Sequence, residues 1–378
     1  MKHQYNKLMF LGLAGSLTLS ACAASRQKPE QPPQQPQNKP PVAEQISLPY
    51  PSGNPRPEKY YRANRLSGDF QGYASVDNFI ARLSERHGYS KEYLYGVLSQ
   101  AKRKQWTLDY LARETPATPG KAKPGAWSRY RAQFLDEQHI ANGAKFWQQH
   151  ATELRRAGEL YGVPPEYIVG IIGVETCYGK NIGNHRIVDA LTTLAFDYPR
   201  RGAYFAEELE NFFVMSTQER IDPLKPVGSY AGAMGLGQFM PGSFLKWAID
   251  LNGDGKKDLW SPTDAIGSVA NYFASHGWQR GDRVITPATA VGSNAGALEA
   301  GYDTHYSLDT LRNNGILVAD NTLPDRNNYK LLRLSTHSGD EYKIGHDNFY
   351  VITRYNHSTH YAMAVHELAQ AVKARMRW

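Results

Sequence analysis

The stretch GIIGVETCYGK, residues 170–180, ends an apolar run on a single carboxylate, Glu175. Upstream, PPEYIVGIIGVET carries apolar residues almost all round at helical spacing and opens with proline, which suits a first turn. The pattern predicts a buried helix over 165–176. Glu175 then falls in its last turn, where the helix dipole disfavours negative charge and burial disfavours it further. Raising a glutamate from about 4.3 to about 6.5 takes roughly 3 kcal/mol of selective destabilisation of the anion. A carboxylic acid tuned in this way is what a general acid working near neutrality requires. The plain alternative is a surface glutamate that closes the helix and points at water.

A second segment, GSYAGAMGLGQFMPGSF (228–244), places Gly228, Gly232, Gly235 and Gly237 within ten residues. Such a backbone can pass close to a ligand or to another helix. Ser229 and Gln238 add neutral hydrogen-bonding groups of the kind that recognise hydroxyl and acetamido groups. Read more simply, the segment is a turn ahead of a helix starting near Pro241. A third, DLNGDGKKDLWSPTD (250–264), sets Asp250, Asn252 and Asp254 at positions 1, 3 and 5, Gly255 at 6, Lys256 at 7 through its carbonyl, and Asp258 at 9. This is the EF-hand order of oxygen ligands for calcium, except that position 12 is Ser261 rather than Glu; Asp264 three residues on can close a lengthened loop. Its alternative is an Asx-rich turn without metal. An ion here is expected to be structural, and none is expected in the chemistry. The histidines at 357, 360 and 366 lack zinc-protease spacing, and no nucleophile elbow, phosphate loop or dinucleotide fingerprint is present.

The elements that must position these groups are mainly helical. SVDNFIARLSERHG predicts a helix with Ser75 and Asp77 as caps and a stop at Gly88, and SKEYLYGVLSQAKR a second. The tract 124–162 predicts a long helical stretch broken near Gly143 and closed at Gly162. Further helices are expected in DALTTLAFDYP, RGAYFAEELENFFVMS, PGSFLKWAIDL and PTDAIGSVANYFASHG. DRVITPATAVG, YKLLRLSTHSG and EYKIGHDNFYVITRYN are β-branched, aromatic and punctuated by turns, and read as strands; HYAMAVHELAQAVKARMRW returns to helix. The expected class is mainly α (α+β), with a helical region at 59–150, a core at 151–280, a small β-rich insertion at 281–347 and a C-terminal segment at 348–378 that returns to the core.

Lys+Arg total 43 against Asp+Glu 36, a net charge of +7 without a concentrated basic stripe. That suits an anionic polymer or membrane surface and argues against nucleic acid. The N-terminus has a basic start (MKHQYNK) and an apolar core (LMFLGLAGSLTLS) too short to span a bilayer. Leu19-Ser20-Ala21-Cys22 resembles the bacterial lipobox, which implies removal of residues 1–21 and lipidation of Cys22. Ala23, where an inner-membrane retention signal would place Asp, favours the outer membrane, facing the periplasm. Ten of the 22 prolines lie in residues 23–58, so 22–58 is expected to be a disordered tether. Lipidation of Cys22 leaves one thiol, Cys177, and no disulfide framework.

The pairing of E-T-x-Y-G (Glu175 to Gly179) with A-x-G-x-x-Q-F-M-P (Ala233 to Pro241) resembles the lytic murein transglycosylases of the lysozyme-like superfamily, over essentially residues 60–378. The resemblance implies a lysozyme-like helical core with Glu175 as sole catalytic acid/base. It implies that Ser229, Gln238, Arg200 and Arg201 line the sugar cleft, and that Tyr130, Tyr272, Tyr355 and Tyr361 stand against sugar rings; any one tyrosine could equally be core packing. It implies closure of the calcium loop by Asp264. Cys177 sits at a variable position and reads as a small apolar filler. The substrate implied is peptidoglycan, cut between N-acetylmuramic acid and N-acetylglucosamine to leave 1,6-anhydro ends, by a monomer that can work beside wall-synthesis enzymes. Neither cleft motif carries a second carboxylate, though Asp189 or Asp197 could lie close in space. A hydrolytic muramidase and a non-catalytic peptidoglycan-binding lipoprotein are the alternatives.

Overall fold

In the computed structural model, which describes residues 61–114, 124–292 and 294–376, helices dominate the fold. The expectations for the leader, Cys22 and the tether fall on residues 1–60 and lie outside the described residues. The N-terminal helices are α1 (Ala74–His87), α2 (Lys91–Leu98), α3 (Gln105–Glu114), α4 (Ala126–Arg131), α5 (Glu137–Gln149) and α6 (Ala151–Tyr161). Then come α7 (Pro165–Thr176), α8 (Ile187–Asp197), α9 (Gly202–Gln218), α10 (Pro241–Trp247) and α11 (Pro262–Ser275). Helix α7 is buried all round from Glu166 to Val174, as its composition requires, and packs against α5, α6, α11 and the C-terminal helix α14 (Thr359–Arg375).

Two small sheets complete the chain. A ribbon pairs β1 (His185–Arg186) antiparallel with β2 (Val227–Gly228), His185 opposite Gly228. A four-stranded antiparallel sheet has β4 (Ile316–Val318), β3 (Ile285–Ala290), β6 (Gly339–Gly345) and β5 (Lys330–Thr336) in that spatial order. One of its faces covers a satellite cluster of Leu311, Ile316, Tyr329, Leu331 and Ile344, with Leu311 supplied by α12 (Leu308–Asn313). Leu332 and Leu334 of β5 instead join the main core. Helix α13 (Asp347–Tyr355) leads from β6 back to α14.

Several local expectations are corrected. The tract 124–162 is interrupted over residues 132–136 and again at His150, not near Gly143. Gly143 lies inside α5, where a Cβ would stand 2.5 Å from both Tyr178 Oη and Val372 Cγ2: its glycine serves close packing, not a break. Ser75 and Asp77 lie within the first turn of α1, which starts after Tyr73 without a side-chain cap. The stretch expected as strand over 341–356 is strand only to Gly345. Phe349, Val351, Ile352 and Thr353 bury themselves from a helix, so tertiary packing overrides their β preference. The ribbon, β4 and α12 are too short to leave a periodic signal.

Candidate active site

Glu175 occupies the last turn of α7, and the backbone then turns through three consecutive left-handed residues: Cys177 at φ 48°, Tyr178 at 61° and Gly179 at 87°. Only the third is glycine, so the turn holds two side chains in a conformation they ordinarily avoid. Thr176, fully buried, fastens it: its hydroxyl lies 3.0 Å from Leu236 O and 3.2 Å from Ile172 O as donor, and accepts from Gly179 N at 3.0 Å. The Tyr178 ring turns back into the core, its Oη wedged where Cβ atoms on Gly143 or Gly173 would stand, and finds no hydrogen-bond partner. Half-burial pushes the Cys177 thiol up, so it rests protonated.

The Glu175 carboxyl meets an uncharged wall. Tyr361 Oη donates to its Oε1 at 2.5 Å from the first turn of α14, a turn ordered by Ser358 capping Tyr361 N at 3.3 Å. Tyr355 lies parallel to Tyr361, with centroids 6.5 Å apart and 11° between planes. Tyr130 stands close enough for the Glu175 charge to raise its phenol, although burial is the larger cause. Removal from water pushes Glu175 up to about 7 against the opposing Tyr361 hydrogen bond. The residue as a whole keeps partial exposure, so its carboxyl is desolvated yet reachable.

The Gly-rich segment is held beside this acid at two carbonyls. Thr176 takes Leu236 O, and Tyr355 Oη donates to Gly237 O at 2.6 Å. Gln238 follows in the left-handed region at φ 53°. Its amide nitrogen donates to Gly235 O at 2.9 Å and Ile182 O at 3.3 Å, leaving a buried Oε1 without a partner. An acceptor stranded in this way is poised for a ligand N–H or O–H. Ser229 is almost fully buried; its Oγ accepts from Ala233 N at 2.9 Å and Ala231 N at 3.2 Å, and thus braces the segment.

The other expected residues divide. Tyr272 gives its hydroxyl to Arg354 O at 2.6 Å and packs at 4.8 Å from both Tyr355 and Trp247, backing the tyrosine wall. Arg201 lies 4.2 Å over the Tyr204 ring, and Arg200 is exposed in the α8–α9 turn. Asp189 and Asp197 are committed elsewhere: Asp189 to Arg186 at 2.8 Å and Lys104 at 3.0 Å, Asp197 to Arg103 at 2.5 Å. Sequence reasoning missed Thr176 as the tie between the two motifs, although it lies inside the quoted E-T-x-Y-G. A contact across 60 residues leaves no local trace.

In the Asp-rich loop, Asp250 accepts from Gly253 N, Asp254 N and Gly255 N, which wraps residues 250–255 round one carboxylate. Asp264, fully buried, accepts from Leu251 N and Asp258 N at 2.9 Å each and so closes the far side. Among the described residues no cluster of three His, Cys, Asp or Glu is drawn together as a metal nest. The donor set Asp250, Asn252, Asp254, Lys256 carbonyl and Asp264 is nevertheless all hard oxygen, as calcium requires. The same loop is tied to the Gly-rich segment and to the ribbon: Leu259 O accepts from Leu236 N at 2.8 Å, and Trp260 Nε1 donates to Val227 O at 3.0 Å.

Known proteins resemble this chain in sequence and in fold. Residues 71–370 match the Transglycosylase SLT domain. The chain is 47% identical over 325 residues to membrane-bound lytic murein transglycosylase B of Escherichia coli (strain K12), covering 85% of this chain and 89% of that protein. The solved E. coli lytic transglycosylase Slt35, in complex with bulgecin A and in another structure with calcium, superposes with a TM-score of 0.77 at 46% identity, over 83% of this chain and 97% of that one. SltB3 from Pseudomonas aeruginosa, solved with NAG-anhNAM-pentapeptide, gives 0.69 at 27% identity, over 79% of this chain and 78% of that one. With the acid, its tyrosine wall and the glycine-rich segment assembled on a helical body of that shape, the chain belongs to the lytic murein transglycosylases of the SLT family.

Proposed function

We propose that this chain cleaves the β-1,4 bond between N-acetylmuramic acid and N-acetylglucosamine of peptidoglycan with Glu175 as the only acid/base. The observation that carries the assignment is a carboxyl raised to about 7, hydrogen-bonded to Tyr361, with Asp189 and Asp197 paired to basic side chains. Protonated Glu175 gives its proton to the glycosidic oxygen as the bond to muramoyl C1 breaks. The resulting carboxylate takes the proton from the muramoyl C6 hydroxyl as O6 bonds to C1. The proton returns to Glu175, no water is consumed, and the products are a free 4-hydroxyl and a 1,6-anhydro end. The substrate acetamido group shields the developing positive charge where a hydrolase would use a second carboxylate. Gln238 Oε1, Ser229, Arg200, Arg201 and the rings of Tyr130, Tyr272, Tyr355 and Tyr361 are assigned to binding and shaping the sugar cleft.

Digestion of purified sacculi followed by muropeptide mass measurement tests this reading. Anhydro ends are expected from the parent chain, and none from Glu175→Gln. Reducing ends alone, heavier by one water, would instead mark a muramidase. Unchanged lysis by the variant would remove Glu175 from the chemistry.

The calcium complex of Slt35 supports assigning Ca2+ to residues 250–264, where Asp250, Asn252, Asp254, Lys256 and Asp264 would hold it. Bound there, the ion cross-links the loop and takes no part in bond cleavage. The name of the E. coli relative and the Cys22 motif support anchoring by lipid to the outer membrane, with residues 22–58 as tether. Cys22→Ser is expected to release the protein from the detergent phase.

A further inference from the structure

Trp106 is 54% exposed, the one tryptophan left exposed among the described residues. Its ring is nevertheless held in place. It lies near-parallel to Tyr110 (5.2 Å, 15°) and to His185 (5.9 Å, 23°), while Tyr230 stands across it at 5.8 Å and 79°. Two of these partners belong to the cleft scaffold. Tyr230 follows Ser229 in the glycine-rich segment, and His185 pairs with Gly228 in the ribbon. Three residues before His185, Ile182 O receives the amide of Gln238. The aromatic ledge therefore continues the strip of chain that lines the cleft.

Its charge is balanced. The basic run that precedes it is spent on carboxylates: Lys102 on Asp69 at 3.6 Å, Arg103 on Asp197 and Lys104 on Asp189. Burial and the neighbouring Lys104 lower His185, leaving a neutral imidazole. A neutral, preorganised aromatic ledge beside hydrogen-bonding groups fits the apolar C–H face of a pyranose better than a charged peptide or a lipid headgroup.

We propose that Trp106, backed by Tyr110, His185 and Tyr230, is a distal glycan-binding ledge that grips the sugar strand several residues away from the scissile bond. The proposal rests on the lytic transglycosylase reading above. It adds a length requirement that the acid and the tyrosine wall do not impose: a strand long enough to reach Trp106 binds more tightly than one that fills only the region round Glu175.

The experiment is calorimetric titration of the full chain carrying Glu175→Gln with chitobiose and chitohexaose, with and without Trp106→Ala or Trp106→Phe. The expected result is that Trp106→Ala weakens hexamer binding about five- to tenfold, leaves dimer binding unchanged, and that Trp106→Phe recovers most of the loss. Equal hexamer affinity with and without Trp106 overturns the ledge. So does a parent that binds hexamer no more tightly than dimer, or equal loss for both lengths, which would mark a structural role. Anhydro-end formation by the wild-type chain is scored separately on sacculi. Its absence would sink the activity while leaving a length-dependent Trp106 effect visible, and the two failures are therefore distinguishable.

Discussion

Tyr361 and Glu175, 186 residues apart, share a 2.5 Å hydrogen bond that joins the first turn of α14 to the last turn of α7. The bond opposes burial: it favours the carboxylate that burial disfavours, and the two set the acid near neutrality. Tyr361 is thereby a positioning and tuning group as well as part of the wall.

The pH profile should show this. On the proposed mechanism the acid form of Glu175 starts the reaction, so kcat/KM is expected to fall as pH rises through about 7. Tyr361→Phe removes the stabiliser of the anion, so the alkaline limb should move up by roughly one pH unit. A limb that stays in place or moves down would show that the bond does not tune Glu175.

Stability should carry the opposite mark of the same shift. Folded Glu175 is raised from 4.5 to about 7, so the native state binds the proton more tightly than the unfolded chain. Stability is unaffected below about pH 4 and is lost as pH rises between the two values, by about 3 kcal/mol once both states are ionised. Glu175→Gln removes that penalty. Urea titrations should show the variant gaining on the parent from pH 5 to pH 8, and a pH-independent difference would contradict the assignment.

Tyr178 offers a packing test. Its buried Oη has no partner and fills the space left by Gly143 and Gly173. Gly143→Ala is expected to cost about 1–3 kcal/mol through the clash with Tyr178 and Val372. Tyr178→Phe alone should be neutral or stabilising by about 1 kcal/mol, and combined with Gly143→Ala should recover part of the loss. Full additivity in thermal melts would deny the contact.

Thr176→Val keeps the shape but deprives Leu236 O and Gly179 N of their shared partner. A loss of about 1–3 kcal/mol in stability is expected. A drop in kcat should accompany it as the glycine-rich segment loosens from Glu175. Unaltered kcat with lowered stability would limit Thr176 to a structural tie.

If calcium occupies residues 250–264 as proposed, its removal should reach the Gly-rich segment, because Leu259 and Trp260 hold Leu236 and Val227. A chelator is expected to lower the melting temperature and to speed amide exchange at Leu236; Asp264→Asn should weaken both responses to added calcium. An unchanged melt would reduce residues 250–264 to an ordinary turn.

Much of this was legible in the residues. Apolar composition all round 165–174 predicted a buried helix, and whether its terminal glutamate faces water or a buried wall was left to the packing, which buries it. The spacing of Asp250, Asn252 and Asp254 pointed to a loop wrapped round oxygens. These depend on neighbours in sequence, where periodicity and turn chemistry operate. Tertiary structure alone decided that Tyr361 meets Glu175, that Thr176 ties one motif to the other, and that Gly143 makes room for Tyr178 instead of ending a helix. It also committed Asp189 and Asp197 to basic partners and set Trp106 on the cleft scaffold. Each of these is a contact between distant segments, fixed by how helices pack, and close packing leaves no pattern along the chain for a reader to find.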